Sequence, residues 1–185
     1  LARVSIYMER EVLKETVGCQ DQIFASYGRL NVIEFVSKDK IIVNPVSMPN
    51  SRLQELNNSL LLFFTKTSRR AQDIEKEKFR NLSNIKDNLL RMYKLVEKAH
   101  GVLTGNNSLS EFGYLLDVTW KEKRALSASV SNPQIDHMYE MALNAGALGG
   151  KLLGAGGGGF MLFFVPEEKK VNVRQALSDY FEVPF

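Results

Sequence analysis

Cysteine occurs once in 185 residues, at Cys19, so no intramolecular disulfide framework holds this chain, and a reducing cytoplasm suits it. Histidine occurs twice, at His100 and His137, with no cysteine or histidine at ligand spacing, which argues against a zinc site. No apolar run approaches the ~20 residues needed to span a bilayer. The longest run, around Phe160–Val165, is strand-sized. Neither sign of charge dominates: 24 Lys and Arg against 21 Asp and Glu leave +3, too mild to call for a polyanionic partner. Disorder is excluded as well, because 44% hydrophobic and 24% charged residues are ordinary globular usage. These absences leave a cytoplasmic globular chain of one domain, or one domain and part of another, with no membrane or nucleic-acid partner expected. The chain opens on Leu1 inside a helical pattern and without a leader, so the expectation is the interior of a longer protein.

Hydrophobic periodicity divides the chain near residues 50–58. Val4, Met8 and Val12 step by four through a first helix, Leu1–Leu13, and a second short helix covers Asp21–Ser26 before Gly28. Two β-branched runs, Leu30–Val36 and Ile41–Val46, flank polar Ser37–Lys40 and read as a hairpin. Met48–Asn57 reads as polar loop. Residues 1–50 and 58–185 are therefore expected to form separate domains. In the second, Leu60–Phe64 is continuous and apolar, as in a strand buried on both faces. Thr67 or Ser68 caps a long helix, broken near Asn81–Asn84, with a stripe of Leu82, Ile85, Leu89, Met92 and Val96. A further helix starts at Ser108 or Ser110, carries Phe112, Leu116 and Trp120, and runs to about Ala128. Asn132 and Pro133 open another, with Ile135, Met138 and Ala142 buried and Gly146 ending it. Strands at Lys151–Gly154 and Phe160–Val165, a helix at Lys169–Phe181 and a short strand at Val183–Phe185 complete the order. The predicted class is α+β, a mostly antiparallel sheet with helices on one face.

Eight of the 13 glycines fall within Gly146–Gly159, and Gly156–Gly159 are consecutive. A hairpin needs one or two. The excess admits two readings: a flexible link, or a loop whose bare amides face phosphate oxygens or another phosphate-binding loop. The spacing Gly154-x-Gly156-x-x-Gly159 matches a dinucleotide fingerprint only formally, since a strand and not a helix follows it. No Gly-Lys-Ser/Thr follows either, which excludes a P-loop here.

Asp21, in Gly18-Cys-Gln-Asp-Gln22, is either a helix cap or a carboxylate presented to a substrate hydroxyl. Cys19 reads as a small packing residue. Lys66–Lys98 holds ten basic and five acidic residues, a solvated helix face by default, and Lys121, Lys123 and Arg124 take the same reading.

Two separated motifs agree on a family. Gly18-Cys-Gln-Asp-Gln22 resembles the Gly-x-x-Asp-Gln segment of the GHMP small-molecule kinases, and Gly149-Gly-Lys-Leu-Leu-Gly-Ala-Gly-Gly-Gly-Gly-Phe160 resembles their third, C-terminal glycine motif. Val130-Ser-Asn-Pro-Gln-Ile-Asp136 and Trp120-Lys-Glu-Lys-Arg124 are similar to the heptose 7-phosphate kinase branch. Cys19 and Arg29 depart from that branch, where Lys and Gly are common. The resemblance implies a ferredoxin-like C-terminal domain preceded by the tail of the N-terminal domain. It implies ATP-dependent transfer to a sugar or sugar-phosphate hydroxyl, with Asp21 as catalytic carboxylate and Gln20 and Gln22 as sugar contacts. Gly154, Gly156, Gly157, Gly158 and Gly159 would lie near the nucleotide's phosphate loop. Mg²⁺ is implied too, with its ligands upstream and none in this chain, because the family's Pro-x-x-Gly-Leu-Gly-Ser-Ser loop is absent here. The alternatives are a galactokinase- or fucokinase-like enzyme and a non-catalytic, sugar-binding regulator.

Overall fold

The computed structural model describes residues 1–15, 17–37, 40–67 and 85–184. The expected cap at Ser68, the break near Asn81–Asn84 and the stripe position Leu82 lie outside these residues. The chain separates into two compact units, Leu1–Met48 and Pro49–Phe185.

In the first unit, α1 (Ala2–Tyr7) runs on as a π-turn, Met8–Val12, and α2 (Gln20–Tyr27) follows. The apolar stripe expected along α1 faces outward, since Val4, Met8 and Val12 are all exposed. The inward face instead carries Glu9, whose carboxylate accepts a hydrogen bond from the Gln22 side-chain amide. Ile23 and Cys19 are buried, the latter in the packing role expected of it. Gly28, at φ +62°, ends α2 in a conformation that costs other residues more. Strands β1 (Asn31–Phe35) and β2 (Ile41–Pro45) pair antiparallel from Asn31 opposite Pro45 to Phe35 opposite Ile41.

The second unit opens with a correction. Met48–Asn57, expected as loop, contains helix α3 (Asn50–Asn58). Its composition is polar because it buries little beyond Leu56. What fixes it is Arg52, whose guanidinium donates to the carbonyls of Leu103 at 3.0 Å and Val102 at 2.6 Å. Those carbonyls end α4 (Lys86–Thr104), where intrahelical donors run out.

Strand β3 (Leu60–Phe64) sits inside a four-stranded antiparallel sheet of order β4-β5-β3-β6, with β4 Gly149–Leu152, β5 Phe160–Phe164 and β6 Phe181–Glu182. Leu61 and Phe63 are buried, whereas Leu60, Leu62 and Phe64 are half-buried, so β3 is fully covered on one face only. That covered face meets Ile135, Met138 and Ala142 of α6 (Pro133–Asn144) and Val173 of α7 (Lys170–Ala176). Asn132 caps α6 as expected: its side-chain oxygen accepts the Ile135 amide at 3.0 Å, with Pro133 in the first turn. The last helix is shorter than expected and the terminal strand earlier, because Phe64 and Phe63 pair with Phe181 and Glu182.

The stripe expected along α4 holds in part: Ile85, at its N-cap, and Met92 turn inward as expected, whereas Leu89 and Val96 are exposed and Leu95 and Val102 take the inward places. Helix α5 (Ser110–Arg124) runs along the β4 edge, so close that a side chain on Gly149 would overlap the Gly113 carbonyl. No helix of the described residues is long and apolar enough to cross a membrane.

Candidate functional site

Phosphate-facing or not, the glycine loop has a defined shape. Leu153–Gly159 joins β4 to β5, with φ of +68° at Gly154, +120° at Gly156, +74° at Gly157, +155° at Gly158 and +101° at Gly159. Only glycine takes such a succession without strain. At Gly156 close approach adds to conformation, since a Cβ there would lie 3.0 Å from both Cα and O of Val130. Gly154 and Gly159, by contrast, face open space, with no atom within 4 Å of a Cβ.

Backbone contacts hold the loop from three sides. The Gly157 amide donates to the Val130 carbonyl at 2.9 Å, and the Gly159 amide to the Thr67 carbonyl at 2.8 Å. Thr65 returns two bonds to the Gly159 carbonyl, from its amide at 2.8 Å and its hydroxyl at 3.0 Å. Beneath the loop, the Lys123 ammonium donates to the carbonyls of Leu152 at 2.8 Å and Gly154 at 2.6 Å. At least three amides of the loop are thus committed to the protein itself, those of Gly157, Gly159 and Leu153, the last donating to the Phe160 carbonyl at 2.9 Å. Its phosphate-facing potential rests on its five glycine positions, which carry no side chains.

Lys123 corrects the sequence reading. It is 7% exposed and belongs to no solvated face. The available signal was its spacing, three residues after the fully buried Trp120, which puts both on one side of α5. Lys121 and Arg124 do reach solvent, paired with Asp117 at 2.7 Å and Asp136 at 2.9 Å. With Ser127, Ser131 and Asn132 they line an open polar pocket of about 580 Å³. Thr65 was also missed: it is wholly buried, and nothing in a lone threonine after an apolar strand signals a loop anchor.

The other sequence-derived candidates lie in the first unit. Asp21 is exposed in the first turn of α2, which has Cys19 at its N-cap position and no side-chain cap hydrogen bond. Asp21 makes no hydrogen bond or ion pair with any described residue, so its carboxylate is not acting as a cap. Gln20 is exposed beside it. Gln22 is half-buried, its amide given to Glu9 and its Oε1 buried without a partner among the described residues.

Electrostatics single out two groups around β4. Loss of water around half-buried Lys151 holds its pKa below the ordinary lysine range. Burial, and then the Asp117 carboxylate 2.7 Å away, pushes the Tyr139 phenol well above its ordinary value. No group of three or more acidic, histidine or cysteine side chains among the described residues could hold a metal ion.

Comparison with known proteins gives the arrangement a family. Residues 92–183 match the family described as GHMP kinases C terminal. D-glycero-alpha-D-manno-heptose 7-phosphate kinase of Campylobacter jejuni is 36% identical over 182 residues, 96% of this chain and 52% of the relative. The bifunctional fucokinase/GDP-fucose pyrophosphorylase of Arabidopsis thaliana is 30% identical over 98% of this chain and 18% of its own length. Among solved structures, a D-glycero-D-manno-heptose 1-phosphate kinase from Bacteroides thetaiotaomicron superposes with a TM-score of 0.65 at 29% identity, covering 100% of this chain and 50% of that one. The chain spans about half the length of these two heptose phosphate kinases.

Proposed function

This chain carries the C-terminal domain of the GHMP kinases, and from that premise we propose that it serves a cytoplasmic enzyme transferring the γ-phosphoryl group of ATP to a sugar or sugar-phosphate hydroxyl, with a heptose 7-phosphate as acceptor. The observation that carries the reading is the glycine loop, five glycines at positive φ fixed by backbone bonds between two strands, β4 and β5, that lie within the family match. Gly154 and Gly159 leave room for phosphate oxygens to approach the backbone.

Phosphoryl transfer through a loose transition state asks mainly for positioning and charge stabilisation. Asp21 suits the acceptor side: an exposed carboxylate with no partner among the described residues accepts a hydroxyl hydrogen, orients the oxygen and takes up its proton as the bond to phosphorus forms. Gln20 offers an exposed amide to sugar hydroxyls, and half-buried Gln22, its amide given to Glu9, is the second candidate sugar contact beside Asp21. ATP is the donor substrate. Mg²⁺ would neutralise phosphate charge, but the described residues gather no acidic cluster for it, and no step is assigned to it through this chain.

Asp21→Asn tests the reading in the full-length enzyme. Turnover should fall roughly 10²–10⁴-fold with ATP affinity unchanged. Near-native turnover would reduce Asp21 to an exposed helix residue. A second acceptor class, an unphosphorylated sugar, is supported by the fucokinase match over 98% of the chain. Comparing kcat/KM for heptose 7-phosphate and for fucose separates the two.

A further inference from the structure

Lys123 carries more than a buried contact. A lysine 7% exposed is uncommon, because taking an ammonium out of water costs several kcal/mol unless oxygens replace the water. Here the replacement oxygens include the carbonyls of Leu152 and Gly154, the last residue of β4 and the first glycine of the loop. Both bonds are charge-assisted, and each is stronger than a neutral one. They span the point where the chain leaves the ladder and enters positive φ. On the far side, Gly157 bonds to Val130 and Gly159 to Thr67. Lys123 shares the hold on the β4 end of the loop with the Leu153 amide, which donates to the Phe160 carbonyl at 2.9 Å, and with half-buried Ala155, which packs against the core. Lys123 itself is rigidly mounted, since Trp120, one turn earlier on α5, is fully buried in the core.

We propose that Lys123 is a positioning residue for phosphoryl transfer: its ammonium fixes the entry of the glycine loop and sets a buried positive charge behind it, so that the loop meets the donor's phosphates already formed. The proposal rests on the phosphoryl-transfer reading given above. A pre-formed loop spares ATP the ordering cost that a loose one would charge to binding. Lys123 touches neither reactant, so its removal weakens donor binding more than the chemical step.

The experiment uses the full-length enzyme with Lys123→Met, Lys123→Gln and Lys123→Arg, and Lys94→Met on the exposed side of α4 as a surface control. Steady-state kinetics with Mg-ATP are combined with amide hydrogen exchange over residues 153–160. Losing charged hydrogen bonds should raise KM for ATP about tenfold to a hundredfold in Lys123→Met, with kcat changed less. Loop amides should exchange at least about tenfold faster while those of β3 and β5 hold their protection. Lys123→Arg, which keeps charge and donors, should recover most of the affinity, and Lys94→Met should match the unmodified enzyme. A purely structural lysine would lower the melting temperature and the active fraction but leave KM in place. Native KM and native loop exchange in folded Lys123→Met would overturn the proposal. If that variant fails to fold, Lys123→Gln decides in the same way. If the unmodified enzyme transfers no phosphoryl group at all, the functional reading fails, and loop exchange alone still decides whether Lys123 positions the loop.

Discussion

Two hairpins in this chain close in different ways. Strands β1 and β2 are joined by Val36–Lys40, five residues without a glycine, and the Val36 amide meets the Lys40 carbonyl at 3.0 Å. Strands β4 and β5 are joined by Leu153–Gly159, seven residues of which five are glycine, all at positive φ. Both ladders are antiparallel and regular, so pairing the strands does not explain the glycines. The first loop satisfies its own ladder. The second is bonded to three other segments, at Val130, Thr67 and Lys123, and its shape is set from outside. The difference teaches that the glycine run encodes a surface. The cost is backbone entropy that a hairpin alone would not require.

The comparison breaks most visibly at Gly156. Alanine there meets a φ of +120° and lies 3.0 Å from Val130 backbone atoms. A positive-φ penalty of roughly 1–2 kcal/mol and overpacking against backbone together should cost about 2–4 kcal/mol. The melting temperature should drop by roughly 5–15 °C. Ser37→Ala in the other loop should stay within about 0.5 kcal/mol, so thermal melts of the two variants suffice. Equal losses would mean the two loops are equivalent hairpin closures.

How far the sequence carries depends on where the signal sits. The glycine loop, the Asn132 cap and the Ile135–Met138–Ala142 face were legible, because local chemistry demands those residue types at those positions. Helix α3 was not. Its stability comes through Arg52, which reaches residues about fifty positions later, and no local pattern announces such a bond. The face of α4 was half legible: Ile85 and Met92 were expected inward and are, but Leu89 and Val96 fit the same three-and-four spacing and are exposed, so only the packed neighbours decide. Lys123 was hidden by its charge, which reads as surface unless its spacing from Trp120 is weighed. For the candidate site, the special conformations of the loop were visible in its glycines, whereas the loop's anchors were tertiary and invisible.

Gly154 sharpens the same comparison at a smaller cost. Its φ of +68° disfavours alanine by about 1 kcal/mol, but no atom lies within 4 Å of the added methyl group. Asparagine tolerates that conformation better and carries a larger side chain. Stability should therefore rank Gly, Asn, Ala, while kcat/KM for phosphoryl transfer ranks Gly, Ala, Asn, because bulk above the loop obstructs the donor. Melts and kinetics on Gly154→Ala and Gly154→Asn read both orders. Activity that simply follows stability would remove the functional reading of that surface.

Tyr139 ties the glycine hairpin to the helices, its ring stacked on Phe163 of β5 at 6.0 Å between centroids and its hydroxyl donating to Asp117 at 2.7 Å. Tyr139→Phe should cost about 1–2 kcal/mol by denaturant unfolding. Asn44→Ala, which removes the exposed Asn44–Glu34 bond of the first hairpin, should cost a few tenths at most.

The smallest effect is a pH dependence confined to the glycine hairpin. Lys151 on β4 faces Leu162 across the ladder, and loss of water lowers its folded pKa. The unfolded chain keeps that proton up to the ordinary lysine value of about 10.4. Between the two values the unfolded state binds more protons, so stability rises with pH and the penalty of the buried charge is relieved. Tyr139 works in the opposite sense. Burial and the nearby Asp117 hold its phenol protonated in the fold, whereas the unfolded phenol ionises near 10, so above that value stability is lost as pH rises. Urea midpoints should accordingly climb as pH rises toward the ordinary lysine value, then turn down once the unfolded phenol ionises beyond about pH 10. Lys151→Met should flatten the climb and leave the downturn. Tyr139→Phe should weaken the downturn and leave the climb. An unchanged climb in Lys151→Met would assign the alkaline stabilisation to some other group and clear Lys151 of any buried-charge penalty.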